Sequence, residues 1–429
     1  MSTHRPYVIL SFEGPDRYAQ AGGLGVRVTG LAAALAEYGH PTDLVFVGDP
    51  SLPSVESPLA NLRWRRWCQW ISHYHPHGVY DGEDGKVADY AASVPRFVVE
   101  EIIAPAREAG QRVVVMAEEW HTASTLIAID ALLRERNWRD DATLLWNANN
   151  TFGFERIDWQ PLQRAAALTT VSKYMKHAMW ALGINAMVIP NGIPEVLIDD
   201  PPAKDEVRTL RAALGEHAPL LAKVGRFDPD KRWMQAIEAT AVLKQWGMSP
   251  RLVVRGGMEP HGSDVFAHAV ELGLRVEDVK VERSEDLAPL IEGLGRAEGD
   301  VINLVSFLST RVLYTLYAAV DAVLANSGRE PFGLVGLEVM AARGVAVTGA
   351  TGEEYAEPFG NAIVVDTEDG RELATYLGAL AREPRLGKIL RKAGRRTARR
   401  YTWGRVIEAL GYKIAAVDAE MRGHPYDQE

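Results

Sequence analysis

Glu330-Pro331-Phe332-Gly333-Leu334-Val335-Gly336-Leu337-Glu338 sets two carboxylates eight residues apart around a glycine-bearing turn that opens a helix. A carboxylate just before a helix and another about two turns into it can face the same ligand, while the free N–H groups of Gly333, Leu334 and Val335 face an anion. Carboxylates accept hydrogen bonds from hydroxyls, and amides donate them to phosphate. The geometry suits a sugar nucleotide. The bland alternative is a helix start with a favourable dipole partner and one surface glutamate.

Outward from that stretch, apolar runs alternate with helical spacing. Strands are expected at 220–225, 251–255, 301–307, 322–325 and 345–348, with helices between them. An earlier series has strands at 7–12, 42–47, 112–116, 143–146 and 168–171, and Leu24, Val28, Leu31 and Leu35 mark the helix after the first. The fold class is α/β, with two doubly wound Rossmann-like domains. Turn residues at 188–194 and a polar run at 199–206 place the boundary near Ile193. The expected domains are 1–193 and 194–402, with a last helical segment at 403–429.

A chain of 429 residues, 47% hydrophobic, buries enough core for two domains. Its net charge of −10 argues against a nucleic-acid partner. Cys68 is the only cysteine, which excludes an intrachain disulfide or cysteine-based zinc site and favours a reducing compartment, the cytoplasm by default. The N-terminus is too short for a signal sequence, and no run of 18 apolar residues spans a membrane.

Arg226 and Lys231, five residues apart at a strand-to-helix junction, can converge on one diphosphate, the first as a planar fork and the second as a point charge. The alternative is a pair of solvated loop cations. Asp228-Pro229-Asp230 matches a three-letter metal motif, but its place beside Arg226 and Lys231 fits a loop, so no metal is expected. Gly22-Gly23-Leu24-Gly25 sits between strand and helix, where small residues let backbone amides approach phosphate; an ordinary glycine-rich turn is the alternative. His121 follows the strand at 112–116, at the strand end where α/β sheets bind ligands, although a lone histidine is often structural. Trp64, Trp67 and Trp70 recur every three residues, which puts them on one helical face. That face is core, a sugar-stacking wall or a membrane contact. His73, His75 and His77 have no further support as a metal site, and the basic run at 382–400 reads as a solvated helix face, with docking on an anionic membrane the minority alternative.

The E-x7-E segment with its internal P-F-G-L resembles the signature of retaining GT-B glycosyltransferases, closest to glycosyltransferase family 4. Val224-Gly225-Arg226 through Lys231 is similar to that family's V-G-R…K pattern, and Val305-Ser306-Phe307-Leu308-Ser309 resembles its V-x-F-L-G strand end. Asp321 to Ser327 resembles the lead-in to E-x7-E. The glycine loop and Glu118-Glu119-Trp120-His121-Thr122 are similar to elements of glycogen synthases. The resemblance implies two domains facing a cleft, with a terminal helix crossing back onto the first. It implies that Glu330 holds donor-sugar hydroxyls, Glu338 the ribose, Arg226 and Lys231 the diphosphate, and Phe307 and Leu308 the nucleobase pocket. Gly23, Gly25, Gly333, Leu334 and Val335 would supply amides to the donor. His121 would lie at the reacting centre, with Glu119, Trp120, Trp64 and Trp67 on the acceptor side.

Four departures stand out: Ser309 where glycine is usual, Thr351-Gly352-Glu353-Glu354 where many relatives carry a glycine pair, and Ala21 and Val26 beside the glycine loop. The last two make polymer elongation a poor fit. The implied reaction is metal-free, retaining transfer of a sugar from a nucleoside diphosphate to a carbohydrate or small-molecule acceptor. A sugar-nucleotide epimerase and a non-catalytic sugar-nucleotide binder stay open, and the base, sugar and acceptor are not named by the sequence.

Overall fold

Tyr7–Leu10 (β1) is apolar at every position and wholly buried, because parallel neighbours flank it on both sides. The computed structural model describes residues 4–281 and 286–421. Residue contacts divide the chain into two compact units: Met1–Pro194 with Thr402–Glu429, and Glu195–Tyr401. Each is built around one parallel-dominated sheet.

In the first unit the strands after β1 are Thr42–Val47 (β2), Val55–Leu59 (β3), Leu62–Trp67 (β4), Val113–Glu118 (β5), Ala142–Ala148 (β6), Ala167–Thr170 (β7) and Met187–Val188 (β8). They lie in the order β3-β4-β2-β1-β5-β6-β7-β8, all parallel except the β3–β4 hairpin. The chain winds one way from β1 to β2 and the other way to β5. The β1 and β5 ends therefore flank a topological switch point, where open α/β sheets bind ligands.

The second unit repeats the plan with Leu220–Val224 (β9), Arg251–Arg255 (β10), Val276–Val279 (β11), Val301–Leu304 (β12), Ala322–Ala325 (β13), Ala346–Thr348 (β14) and Ile363–Val364 (β15). Its order is β11-β12-β10-β9-β13-β14-β15. The switch point lies between β9 and β13, whose ends lead into Arg226 and Glu330.

The helix Trp403–Met421 belongs to the first unit. Trp403, Val406, Ile407, Leu410, Ile414 and Val417 share one buried cluster with Tyr7, Ile9, Val28, Leu31 and Met116. Thr402 pairs with Ile193 in a parallel bridge, and Trp403 N–H donates to the Ile193 carbonyl at 2.9 Å. Gly30 and Gly192 lack the Cβ that would collide with the Trp403 ring, at 2.7 and 2.4 Å. Residues 422–429 of the expected terminal segment lie outside the described residues. Among the described residues no helix is long and apolar enough to cross a membrane.

The tryptophan stretch departs from expectation. Leu62–Trp67 is a strand and not a helix, hydrogen-bonded to β2 on one side and to β3 on the other across the two-residue turn Ala60-Asn61. With a side-chain period of two, Trp64 and Trp67 point to opposite faces. Trp64 packs beside the core. Trp67 donates from its indole N–H to Ser93 Oγ at 2.7 Å and lies 5.0 Å from the Phe97 ring. Trp70, outside the strand, is 66% exposed, so the three form no shared wall.

Candidate functional site

In the second unit three loops are tied together at the strand ends. Gly328 N–H donates to the Asp230 carbonyl at 2.7 Å, which joins the loop after β9 to the loop after β13. Glu330 N–H donates to Thr351 Oγ1 at 2.9 Å and Gly352 N–H donates to the Glu330 carbonyl at 2.8 Å, which adds the loop after β14. A Cβ on Gly352 would lie 2.2 Å from the carbonyl oxygens of Glu330 and Pro331, so only glycine fits there. These bonds set Lys231 Nζ 2.5 Å from Glu330 Oε2, both side chains partly exposed. Arg226 is exposed and makes no ion pair among the described residues, while its carbonyl accepts from the Trp233 indole at 2.8 Å. Asp228 Oδ1 accepts from Asp230 N–H at 3.0 Å and caps the turn Pro229–Lys231, which gives the Asp-Pro-Asp stretch a structural task.

The helix Leu334–Ala341 begins at Gly333, whose φ of +79° is left-handed backbone that glycine adopts without strain. No side chain caps this helix start. Its first-turn amides thus lack a side-chain acceptor, four residues along the chain from Glu330, an arrangement that suits an anion. The Tyr355 hydroxyl donates to the Gly333 carbonyl and fixes the turn. Glu338, further along the helix, hydrogen-bonds with Tyr314, and burial pushes its carboxyl up to about 7. Leu308 is buried, whereas Phe307 is 55% exposed with the Arg255 guanidinium 5.7 Å from its ring centre. Ser309 takes a structural role: its Oγ accepts from Val312 N–H and caps the next helix.

The first unit holds a second cluster, at the ends of β1 and β5. Glu13 Oε2 accepts from the amides of Ala21, Gly22 and Gly25 at 3.2, 2.9 and 3.0 Å, and Oε1 accepts from Tyr80 Oη at 2.6 Å. The glycine loop is therefore already capped by the chain's own carboxylate, and the Gly25 amide assigned to the donor is taken. A helix start favours the nearest anion, and Glu13 lies in the same loop. Gly23 opens that helix, and a Cβ there would meet nothing within 4 Å.

His121 is sandwiched between Phe12 and Trp120, with ring centres at 4.3 and 4.0 Å. Burial, with help from the Arg156 cation, holds its pKa down to about 3, so the ring is neutral near pH 7. Its Nε2 lies 2.8 Å from Glu83 Oε1, and a neutral ring beside a carboxylate places its single proton there. Nδ1 is buried without a partner. Trp120 carries the Arg156 guanidinium 3.9 Å above its ring. Glu119, at φ +66°, accepts from Asn149 N–H at 2.6 Å and Asn150 N–H at 3.2 Å, and burial pushes it up to about 8. Beneath it Arg27 pairs with Glu118 at 3.2 Å, both fully buried, and Asn147 and Asn149 donate to the same carboxylate.

The structure thus gathers Lys231, Glu330, Gly333, Leu334 and Val335 in the second unit, and Glu119, Trp120 and His121 in the first. Glu13, Glu83, Arg27, Glu118 and the Glu353 carboxyl escaped sequence reasoning. Only Glu353 carried a signal, the charged residue where a glycine pair is usual.

Two Rossmann-like sheets with ligand-competent switch points define the GT-B class of fold. Residues 208–397, which include the second unit's candidate site, match the family model described as glycosyl transferases group 1. The chain resembles a D-inositol 3-phosphate glycosyltransferase of Saccharomonospora viridis, 31% identical over 211 residues, 47% of this chain and 44% of the relative. It thus spans less than half the length of that relative. Among solved structures it is similar to the catalytic domain of starch synthase IV of Arabidopsis thaliana bound to ADP and acarbose, with TM-score 0.69 and 14% identity over 97% of this chain and 100% of that one. Sucrose-phosphate synthase of Thermosynechococcus elongatus gives TM-score 0.67 and 20% identity over 97% and 100%.

Proposed function

We propose that the protein is a retaining, metal-independent glycosyltransferase that moves a sugar from a nucleoside diphosphate to a hydroxyl of a carbohydrate or small-molecule acceptor. The observation that carries this is the uncapped helix start at Gly333 beside the Lys231–Glu330 pair. Helix amides and Lys231, with Arg226 reaching from its exposed position, neutralise charge that grows on the departing diphosphate as the C1–O bond breaks. The acceptor oxygen attacks C1 from the face the diphosphate leaves, and its proton passes to a phosphate oxygen. The reading calls for no covalent nucleophile on the protein. Glu338 takes the ribose hydroxyls, and Glu330 takes sugar hydroxyls once the diphosphate draws Lys231. His121, neutral and half-sequestered by Glu83, orients groups at the acceptor side and does not act as an acid.

The relatives' names make inositol 3-phosphate one acceptor to test, alongside simple sugars. The deciding experiment is calorimetric binding of ADP, UDP and GDP in EDTA, repeated with Glu338→Ala and Arg226→Ala. Metal-free binding of one nucleotide, weakened by about 1–3 kcal/mol in either variant, supports the donor site. Binding of none of the three by folded protein overturns it. Turnover of the nucleotide sugar without acceptor into an epimer, or binding with no turnover on any acceptor, would move the function to an epimerase or to a sensor.

A further inference from the structure

The loop after β14 puts the Glu353 carboxyl against the uncapped helix start. Its Cγ and Cδ lie 2.5 and 3.2 Å from where a Cβ on Gly333 would stand. The residue is 5% exposed. Oε2 makes long contacts, to Thr351 N–H at 3.3 Å and Thr351 Oγ1 at 3.4 Å, the residue's own backbone N–H also favours the carboxylate, and Oε1 is buried with no bond to another residue. A carboxylate kept for stability at a helix start would bond the free amides, as Glu13 does in the first unit. Glu353 does not, and a buried polar atom left unpaired in a native fold calls for an explanation.

This inference rests on the donor-site reading above. We propose that Glu353 is a donor-site residue that works as a neutral carboxylic acid, donating its O–H to an anionic phosphate oxygen of the nucleoside diphosphate. Charge decides the protonation state that fits. The groups that face Glu353 are Glu330, already paired with Lys231, and Tyr355, whose hydroxyl is committed to the Gly333 carbonyl. Glu338 lies beyond, acting on Tyr355. No cation pairs with Glu353 among the described residues. Ionised, it would repel an incoming diphosphate from the helix amides; neutral, it adds one donor to them. Burial and the Glu330 charge together push this carboxyl up to about 7, so both forms are populated near neutrality. Donor binding therefore takes up a proton from solvent onto Glu353.

The test is titration calorimetry of the bound nucleotide, ADP, UDP or GDP, between about pH 6.5 and 8.5, in buffers that differ in ionisation enthalpy. The wild-type protein is compared with Glu353→Gln, which keeps a donor and cannot titrate. The Gln variant also subtracts protons exchanged by the nucleotide itself. The expected result is roughly half a proton more taken up by wild type at pH 7, and wild-type affinity that falls roughly tenfold from pH 7 to 8.5 while the Gln variant holds. Glu353→Ala, without a donor, binds more weakly than Gln at pH 7. Equal proton uptake in wild type and Gln, or Gln as weak as Ala, overturns this inference alone, with the donor site intact. No binding of any nucleotide overturns the donor-site reading, and this inference with it. Should the Gln variant not fold, wild type decides: no uptake above about pH 7.5, where the nucleotide phosphates are ionised, refutes the proposal.

Discussion

Replacing Glu330 by glutamine should tighten the binding of a nucleoside diphosphate, although the glutamate belongs to the proposed donor site. Lys231 Nζ stands 2.5 Å from Glu330 Oε2, with side chains 29% and 22% exposed. In the empty site Glu330 therefore cancels much of the lysine charge. A phosphate charge about 4 Å from Lys231 gains about 4 kcal/mol at an effective dielectric constant near 20. Solvent screening at a partly exposed pair cuts this to about 1–2 kcal/mol. A carboxylate at similar distance opposes it by a comparable amount. Glu330→Gln keeps the side chain's shape and removes the opposing charge, so diphosphate affinity should rise roughly 5- to 30-fold. Lys231→Met should lower it by at least as much. Calorimetry in EDTA reads both, and the gain should shrink as ionic strength is raised from about 0.05 to 0.5 M. Glycosyl transfer should still slow, because glutamine holds a sugar hydroxyl less firmly than a carboxylate does. Affinity in Glu330→Gln equal to or below wild type would show that Glu330 does not compete for Lys231, and the proposed division of labour would fall.

Gly333→Ala forces a Cβ into left-handed backbone and to within 2.5 Å of Glu353 Cγ. It should cost about 2–3 kcal/mol of stability and weaken nucleotide binding at least about tenfold; wild-type binding would remove the helix start from the site. Glu119 is raised by burial from 4.5 to about 8, so its contribution to stability is complete below its unfolded value and is lost as pH rises through the folded one. Across roughly pH 5–8 it costs the fold up to about 1.4 kcal/mol per pH unit. Thermal melts should therefore fall with pH more steeply for wild type than for Glu119→Gln, and parallel slopes would mean that Glu119 is ionised throughout. Trp403→Ala leaves a cavity worth about 3–5 kcal/mol, which lowers the first unit's melting temperature by roughly 10 °C in a scan. Loss of nucleotide binding at temperatures where the protein is folded would show a role for Trp403 beyond packing.

Much of the architecture was legible because parallel strands buried on both faces read as continuous apolar runs. The expected strands at 42–47, 251–255 and 322–325 match β2, β10 and β13 residue for residue. The tryptophan stretch was misread because a spacing of three fits a helix while Leu62, Trp64 and Arg66 also fit a strand, and the arbiter, pairing with β3 across Ala60-Asn61, is tertiary. The E-x7-E stretch was legible as a local motif that opens a helix. The glycine loop was not, since nothing in its spacing reveals that Glu13 folds back onto its amides. Glu83 beside His121 was beyond reach for the same reason: residues 38 apart meet only once the fold brings them together.

The bridge between Ile193 and Thr402 has a consequence for how the chain is made. The second unit is one uninterrupted stretch set into the first, so it can fold as soon as Tyr401 has been synthesised. The first sheet, begun at Tyr7, waits for the Trp403–Met421 helix to cover Val28, Leu31 and their neighbours. The early-made half is thus the late-finished one, and its uncovered apolar face is the surface a chaperone would meet on the nascent chain.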